Sequence, residues 1–276
     1  MTYFVSLVIP NLYLHQLQLF FDNNWQFISS DVINGKIELI VVTSALLKAE
    51  VKPWINKYPL TKFLIIKQNK GFAATVNTGF RTALGTWLGT VNDDVTLSLN
   101  WLDKLLSVAH DHTGSINPII RDLQGKIESA GIKILDRGKA QPISQVSENK
   151  ITYVDATNGA CVLYRKQALD QVGLFDERFG SYLEDIDLSL RLKRAGWQNM
   201  VNHQVTVTHQ QQASSKTLGW HKNWLDTKNW WLVILKNWTV GQWIKYWPII
   251  LLERFRNLSG LIKQFIKSSS FHIIRK

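Results

Sequence analysis

The sequence predicts an α/β protein, an open and mainly parallel sheet flanked by helices, followed by C-terminal amphipathic helices. Three observations carry this. Over the first 92 residues short β-branched runs alternate with longer amphipathic ones, the rhythm of parallel strands joined by crossover helices. A length of 276 residues with 45% apolar side chains suffices for a large core, which excludes intrinsic disorder. The composition then changes near residue 215. Residues 1–215 carry 21 basic and 19 acidic side chains, whereas residues 216–276 carry 11 and 2, together with seven of the 12 tryptophans. We therefore divide the chain into a body, 1–215, with halves 1–95 and 96–215, and a basic, Trp-rich helical tail, 216–276.

In chain order, strands are expected at 4–9, 37–42, 63–66 and 87–91, with helices at 12–27, 46–57 and 71–84. The last helix is the clearest, because Phe72, Val76, Gly79, Phe80 and Ala83 share one face, and Gly85 supplies a stop. Residues 115–165 read as a meander added to the sheet, with strands at 115–119, 126–135, 151–154 and 160–164 punctuated by glycines. A helix at 183–195 ends at Gly196, and a strand at 204–208 ends at His209. In such sheets ligands bind beyond the carboxyl ends of the strands, so the chemistry is sought after Ile9, Val42, Ile66 and Val91.

Several classes drop out. The single cysteine, Cys161, permits neither an internal disulfide nor a Cys-rich metal site and fits a reducing, cytoplasmic setting. The opening MTYFVSLVIPNLYLHQ has no basic n-region and its apolar run is broken by Pro10, so no signal peptide is expected. No apolar run reaches the roughly 18–20 residues of a membrane-spanning helix.

Four constellations could carry chemistry. Asn92-Asp93-Asp94 ends the strand WLGTV. If the strand continues, Asn92 and Asp94 fall on one side and Asp93 on the other, and adjacent carboxylates there repel unless a cation is present; a solvated turn is the alternative. Glu184-Asp185-Ile186-Asp187 opens a helix. Acids in a first turn favour the helix dipole and Asp187 can pair with Arg191, yet three acids in four residues exceed what capping needs. His209, at a strand end, is either a metal ligand or a surface residue. Asn69-Lys70-Gly71-Phe72 precedes a helix whose exposed amides suit an anion or a hydroxyl, or is merely a helix start. Neither a Walker sequence nor a GxGxxG fingerprint occurs.

Taken together, VSLVIP, IELIVV, NKGFAATVNTGFRTALGTWLGTVNDDV and NGACVLYRKQALDQVGLFDERFGSYLEDIDLSLRLKRAGW resemble the family 2 glycosyltransferases, of the nucleotide-diphospho-sugar transferase (GT-A) fold. The likeness covers roughly residues 4–215 and is strongest to the rhamnosyltransferase-like branch. It implies a divalent cation, Mg²⁺ or Mn²⁺, held by Asp94 and His209 and bridging the donor's phosphates. It implies Asp185 as the catalytic base with Glu184 beside it. Asn158, Gly159, Ala160 and Asp187 are implied on the sugar and acceptor side, and Pro10, Asn69, Gly71, Asn92 and Asp93 on the donor side. The chemistry agrees: a cation stabilises a departing diphosphate, and a carboxylate must take the proton of an acceptor hydroxyl. One departure stands out. Where the family carries an Asp after its second strand, this chain has Thr43 and Ser44, and its first-strand loop is IPNLY.

In the tail, a helical wheel puts Trp220, Trp224, Trp231, Leu235 and Trp238 on one stripe, with Lys222, Asp226 and Asn229 opposite. A second helix after Pro248 aligns Leu251, Leu258, Leu261, Ile262, Phe265 and Ile266, with Arg256, Lys263 and Lys267 on the other face. Basic amphipathic helices rich in Trp lie in the headgroup zone of an anionic membrane; packing on the body is the alternative. A net charge of +11 does not by itself mean nucleic-acid binding, since aliphatic bulk interleaves the basic residues. The expectation is a metal-dependent, inverting glycosyltransferase at the cytoplasmic face of the cell membrane. It would extend a polysaccharide or polyprenyl-linked glycan from a nucleotide-diphospho-sugar, with dTDP-rhamnose suggested by the branch alone. Alternatives are a sugar nucleotidyltransferase, against which the lack of Gly, Lys and Arg in IPNLYLHQ speaks, and a catalytically silent, membrane-docked carbohydrate-binding scaffold.

Overall fold

The computed structural model describes residues 4–43, 48–136, 138–210 and 219–273, and for residues 48–49, 219–221 and 261–273 the backbone alone. The first half runs β1 (Val5–Asn11), α1 (Leu14–Ile33), β2 (Ile37–Thr43), α2 (Lys48–Lys57), β3 (Thr61–Ile65), α3 (Phe72–Phe80) and β4 (Trp87–Val91). β1 pairs in parallel with β2 and β4, and β2 with β3. Every residue of β2, IELIVVT, is buried, as a central strand covered on both faces requires. Alternation then sorts side chains into two layers. Leu7 and Leu39 meet Leu17, Phe20 and Phe21 of α1 and Tyr58, just beyond α2, on one face. Val8, Ile40 and Val42 meet Ala73, Val76 and Phe80 of α3 on the other.

The second half runs β5 (Val95–Thr96), α4 (Trp101–Leu106), β6 (Thr113–Arg121), β7 (Ile127–Ser129), β8 (Ile132–Leu135), β9 (Lys139–Pro142), β10 (Ile151–Val154), β11 (Cys161–Arg165), α5 (Lys166–Val172), a 3-10 turn at Glu177–Phe179, α6 (Glu184–Arg194) and β12 (Gln198–His209). The sheet reads β10-β12-β6-β11-β4-β1-β2-β3, with β5 pairing β12 and β7 pairing β6. The meander is realised in part. The strand expected at 126–135 is two, because Gly131 takes φ +94° between them; β7 stays with β6 while β8 forms a separate hairpin with β9.

One local expectation is corrected. α3 ends at Phe80, before Gly85, so Gly85 is not its stop. A Cβ at Gly85 would stand 2.5 Å from the Ser6 backbone nitrogen: the glycine lets the chain graze β1 on its way into β4. There the Leu84 and Gly85 amides donate to Ser6 Oγ at 3.1 and 2.8 Å, and Leu84 also to Glu38 Oε2 at 2.8 Å. Ser44 and the helix start expected at residue 46 lie outside the described residues, as does the compositional boundary at 215.

The tail forms α7 (Gly219–Asn237) and α8 (Val240–Ile273). α7 buries Trp230, Val233 and Ile234 against Phe179 and Ile186 of the body, Trp238 of the stripe packs on the same cluster, and Asn229, expected on the polar side, is fully buried. Trp224 and Leu235 of the stripe are exposed. The second tail helix does not begin after Pro248; α8 starts at Val240 and runs through that proline. Side chains of Trp220, Leu261, Ile262, Lys263, Phe265, Ile266 and Lys267 lie outside the description. We predict that Gly85→Ala, which forces backbone apart from backbone, lowers unfolding free energy by about 1–3 kcal/mol in urea titration.

Candidate active site

Three strand ends meet first. β1 ends in Asn11, β2 in Thr43, and β4 gives way at Asn92 to a turn rather than further strand, closed by the Val95 amide donating to Asn92 O at 3.1 Å. The turn aims the two acids apart. Asn11 Nδ2 donates to Asp93 Oδ2 at 2.7 Å, and Thr43 Oγ1 to Asn11 Oδ1 at 3.4 Å. The residues that depart from the family pattern, Asn11 and Thr43, thus hold Asp93. Burial pushes the Asp93 carboxyl up, with the Asn11 bond opposing and the Asp94 charge adding, to about 7. Pro10 sits where β1 has outrun its pairing with β4 and faces only Val42, so its missing N–H costs the sheet little.

Asp94 turns to β12. Its Oδ1 lies 3.1 Å from His209 Nε2, while His209 Nδ1 meets Glu128 Oε2 of β7 at 2.9 Å. The Thr208↔Thr96 and His209↔Val95 pairs of β5 and β12 fix this approach. Burial alone would lower the imidazole pKa, but hydrogen bonds to Asp94 and Glu128 outweigh it and hold it at about 9. A carboxylate oxygen beside an imidazole nitrogen suits Mg²⁺ or Mn²⁺, and the donor set fits the cation that the resemblance implies. Among the described residues no group of three or more His, Cys, Asp or Glu is arranged to hold an ion, so phosphate oxygens and water would complete the shell. Sequence reasoning missed Glu128; nothing near it in the chain marks it.

The segment 158–160 links this end to the acidic helix. Ala160 O accepts from the Asn92 amide at 2.8 Å, and the Gly159 amide donates to Asp185 Oδ2 at 2.9 Å. Asn158 is fixed by Asn117, whose Oδ1 accepts from the Asn158 amide at 2.9 Å and whose Nδ2 donates to Asn158 O at 3.0 Å. A Cβ at Gly159 would come within 3.4 Å of Asp185 Cβ. Adjacent residues of this segment thus bond to the Asn92 end of the turn and to Asp185. The buried Asn92 Oδ1 has no hydrogen-bond partner among the described residues.

At α6, burial raises both Glu184 and Asp185, Glu184 far above its ordinary value and further pushed by the Asp185 charge. The Gly159 and Ile186 amides pull Asp185 back, whereas Glu184 Oε2 is buried without a partner, so the proton resides on Glu184. Two expectations change here. Asp187 is fully buried, and its oxygens are taken by Arg191 Nε (2.9 Å), Lys236 Nζ (2.9 Å) and Asn237 Nδ2 (3.0 Å); it faces the tail, with no oxygen left for a sugar. The amides before and opening α3 are likewise engaged. Gly71 N donates to Asn69 Oδ1 (2.8 Å), Phe72 N to Ser181 Oγ (3.0 Å) and Ala73 N to Gly180 O (2.9 Å), so these three amides are not free for an anion. A hollow of about 370 Å³ between Tyr153, Asp155, Lys193 and Trp197 lies at the other end of β12 from His209, apart from these groups.

A model of the family described as Glycosyltransferase like family 2 matches residues 32–223. The chain is 27% identical over 188 residues to an N-acetylglucosaminyl-diphospho-decaprenol L-rhamnosyltransferase of Mycobacterium tuberculosis, covering 56% of this chain and 60% of that protein. It is 27% identical over 159 residues to the O-antigen biosynthesis protein RfbC of Myxococcus xanthus, covering 52% of this chain and 12% of that one. The chain thus spans less than two thirds of the length of either relative. The mannosyltransferase PcManGT from Pyrobaculum calidifontis, in complex with GDP-Man and Mn²⁺, superposes with a TM-score of 0.62 at 14% identity, covering 98% of this chain and 76% of that one. GalNAc-T7 with UDP, GalNAc and Mn²⁺ gives 0.60 at 16%, covering 84% and 48%. These likenesses show the GT-A fold.

One prediction follows from the acid pair. The folded state keeps on Glu184 a proton that the unfolded chain, with its carboxyl near 4.5, releases, so this stability is present below that pH and is lost as pH rises. Glu184→Gln should therefore raise the melting temperature by about 2 °C or more at alkaline pH, the difference shrinking towards about pH 4 in calorimetry.

Proposed function

The chain belongs to the family described as Glycosyltransferase like family 2, and from that premise we propose that it transfers a sugar from a nucleotide-diphosphate donor to a glycan, with inversion. The observation that carries this reading is the Asp185 carboxylate, seated on the Gly159 amide and tied through Ala160 to the Asn92–Asp94 turn. The acceptor hydroxyl loses its proton to Asp185 as its oxygen bonds to C1 of the donor sugar. The bond from C1 to the phosphate oxygen breaks on the opposite side, and its electron pair leaves with the diphosphate. One displacement inverts C1. Glu184, uncharged, leaves the negative charge to Asp185. Asp94 and His209 would hold a divalent cation, which when bound neutralises the charge growing on the diphosphate. Asn92 Oδ1 is free to accept from a donor hydroxyl. The rhamnosyltransferase likeness supports rhamnose as the sugar and a polyprenyl-diphosphate-linked glycan as acceptor.

Such an acceptor lies at a membrane, and the tail supports peripheral attachment there, at the cytoplasmic face. No helix among the described residues is long and apolar enough to cross a bilayer. Along α8, Val240, Ile244, Trp247, Phe255 and Leu258 recur at helical spacing and all are exposed, Val240 and Ile244 by more than 70%. Lys245 and Arg256 accompany them, and each basic residue near an anionic surface adds about 1 kcal/mol.

With a panel of nucleotide sugars, glycan acceptors and Mn²⁺ or Mg²⁺, nucleoside diphosphate should be released and EDTA should stop it. Asp185→Asn should lower kcat by about 10²–10⁴. Asp94→Ala should weaken Mn²⁺ binding in calorimetry as well as turnover. Pyrophosphate release would instead indicate a nucleotidyltransferase, and no turnover with any pair a silent scaffold. In flotation with anionic vesicles at low salt the chain should rise with lipid, and Ile244→Glu with Phe255→Glu should leave it in the soluble fraction.

A further inference from the structure

The loop that delivers the acidic helix is bent against its own preference. Gly180, Tyr182 and Leu183 take φ +70°, +74° and +68°, and for the two side-chain-bearing residues this left-handed region is disfavoured. Such a conformation persists where its surroundings over-determine it. On one side the loop is held by α3, through the Phe72 and Ala73 amides, and Gly71 lies so close that a Cβ there would stand 2.5 Å from Gly180 C and O. On the other side it is held by the tail. Asn229, fully buried on α7, donates from Nδ2 to Phe179 O (2.9 Å), Ser181 O (2.9 Å) and Tyr182 O (2.7 Å). Two amide protons are thus shared among three carbonyls that no helix or strand satisfies. α7 grips the same stretch at its ends, with Lys236 on Asp176 and Asp187 and Lys228 on Arg178 O. Glu184 and Asp185 follow directly on the left-handed pair.

We propose that Asn229 is a positioning residue for the transfer reaction: its amide keeps Tyr182 and Leu183 left-handed and so seats the Asp185 carboxylate on the Gly159 amide. The tail is on this account a working part of the active site and not only an attachment. The proposal rests on Asp185 acting as the base. Loss of the Asn229 amide lets the loop relax towards ordinary φ, turns the start of α6 and withdraws Asp185 from Gly159. The donor side, built on β1, β4 and β12, is left in place.

The test uses the full chain with Asn229→Ala, Asn229→Asp, Thr227→Ala and Asp185→Asn. Asn229→Asp keeps the shape but presents acceptors to three carbonyls. Thr227 is buried on the same helix and bonds to Asn223 O within it, at 2.8 Å, so it reports simple weakening of α7. Both Asn229 variants should lower kcat by about tenfold to a hundredfold while Mn²⁺-nucleoside diphosphate affinity in calorimetry stays within about twofold. Hydrogen exchange at the Gly159 amide should quicken in Asn229→Ala and not in Thr227→Ala; this readout needs no turnover. If Asn229→Asp does not fold, Asn229→Ala carries the comparison. An unchanged kcat with unchanged Gly159 exchange in Asn229→Ala, or an equal loss in Thr227→Ala, overturns the proposal. Full turnover by Asp185→Asn would refute the base itself, whereas an inactive Asp185→Asn beside an unaffected Asn229→Ala refutes only the positioning role.

Discussion

Two neighbouring acids stand at the start of α6, Glu184 buried and Asp185 half-buried, and much of the surrounding structure answers to that constraint. Two buried negative charges side by side would be costly, so one group stays protonated. Which one is decided by hydrogen bonds: the Gly159 and Ile186 amides stabilise Asp185 as the carboxylate, and nothing bonds Glu184 Oε2. The backbone must then deliver Asp185 to Gly159, and this accounts for the left-handed turn through Tyr182 and Leu183.

The opposite wall is made of strand ends. Asn92, Asp93 and Asp94 leave β4 as a turn, which lets adjacent acids diverge, Asp93 to Asn11 and Asp94 to His209. Glu128 holds the far side of the imidazole, so Nε2 is presented towards Asp94. A neighbouring carboxylate commonly orients a metal-binding histidine in this way. The Asp94 Oδ1 and His209 Nε2 atoms stand 3.1 Å apart, and the same two atoms suit a cation that takes the place of the imidazole proton.

The tail serves two environments. α7 turns Trp230, Val233 and Ile234 inward and exposes Trp224 and Leu235, while α8 buries Ile250 and exposes a row from Val240 to Leu258. A wheel drawn on sequence finds apolar faces in both helices but cannot rank them, because a helix apolar on two sides has two candidate interiors. The wheel put Asn229 opposite the Trp stripe with Lys222 and Asp226; there the carbonyls of Phe179, Ser181 and Tyr182 bury it.

What the sequence by itself determined is the local and the periodic. The strands and helices of the parallel half, the Asn92–Asp94 and Glu184–Asp185 motifs and the change of composition before the tail were all legible, because side-chain periodicity and motif spacing act within a few residues. Even there the ends drifted: α1 extends to Ile33, and the strand expected at 204–208 is the last part of β12. Tertiary structure alone decided what joins distant segments. Glu128 reaches His209 across 81 positions, Asn11 reaches Asp93 across 82, and Asn229 reaches the loop before Asp185 across 47 to 50. It also decided that Asp187 belongs to the tail contact and that the Phe72 and Ala73 amides of α3 are already engaged. Such partners are set by strand order and by the packing of α7 on α6, and a carboxylate or amide carries no mark along the chain of which distant group will stand opposite it.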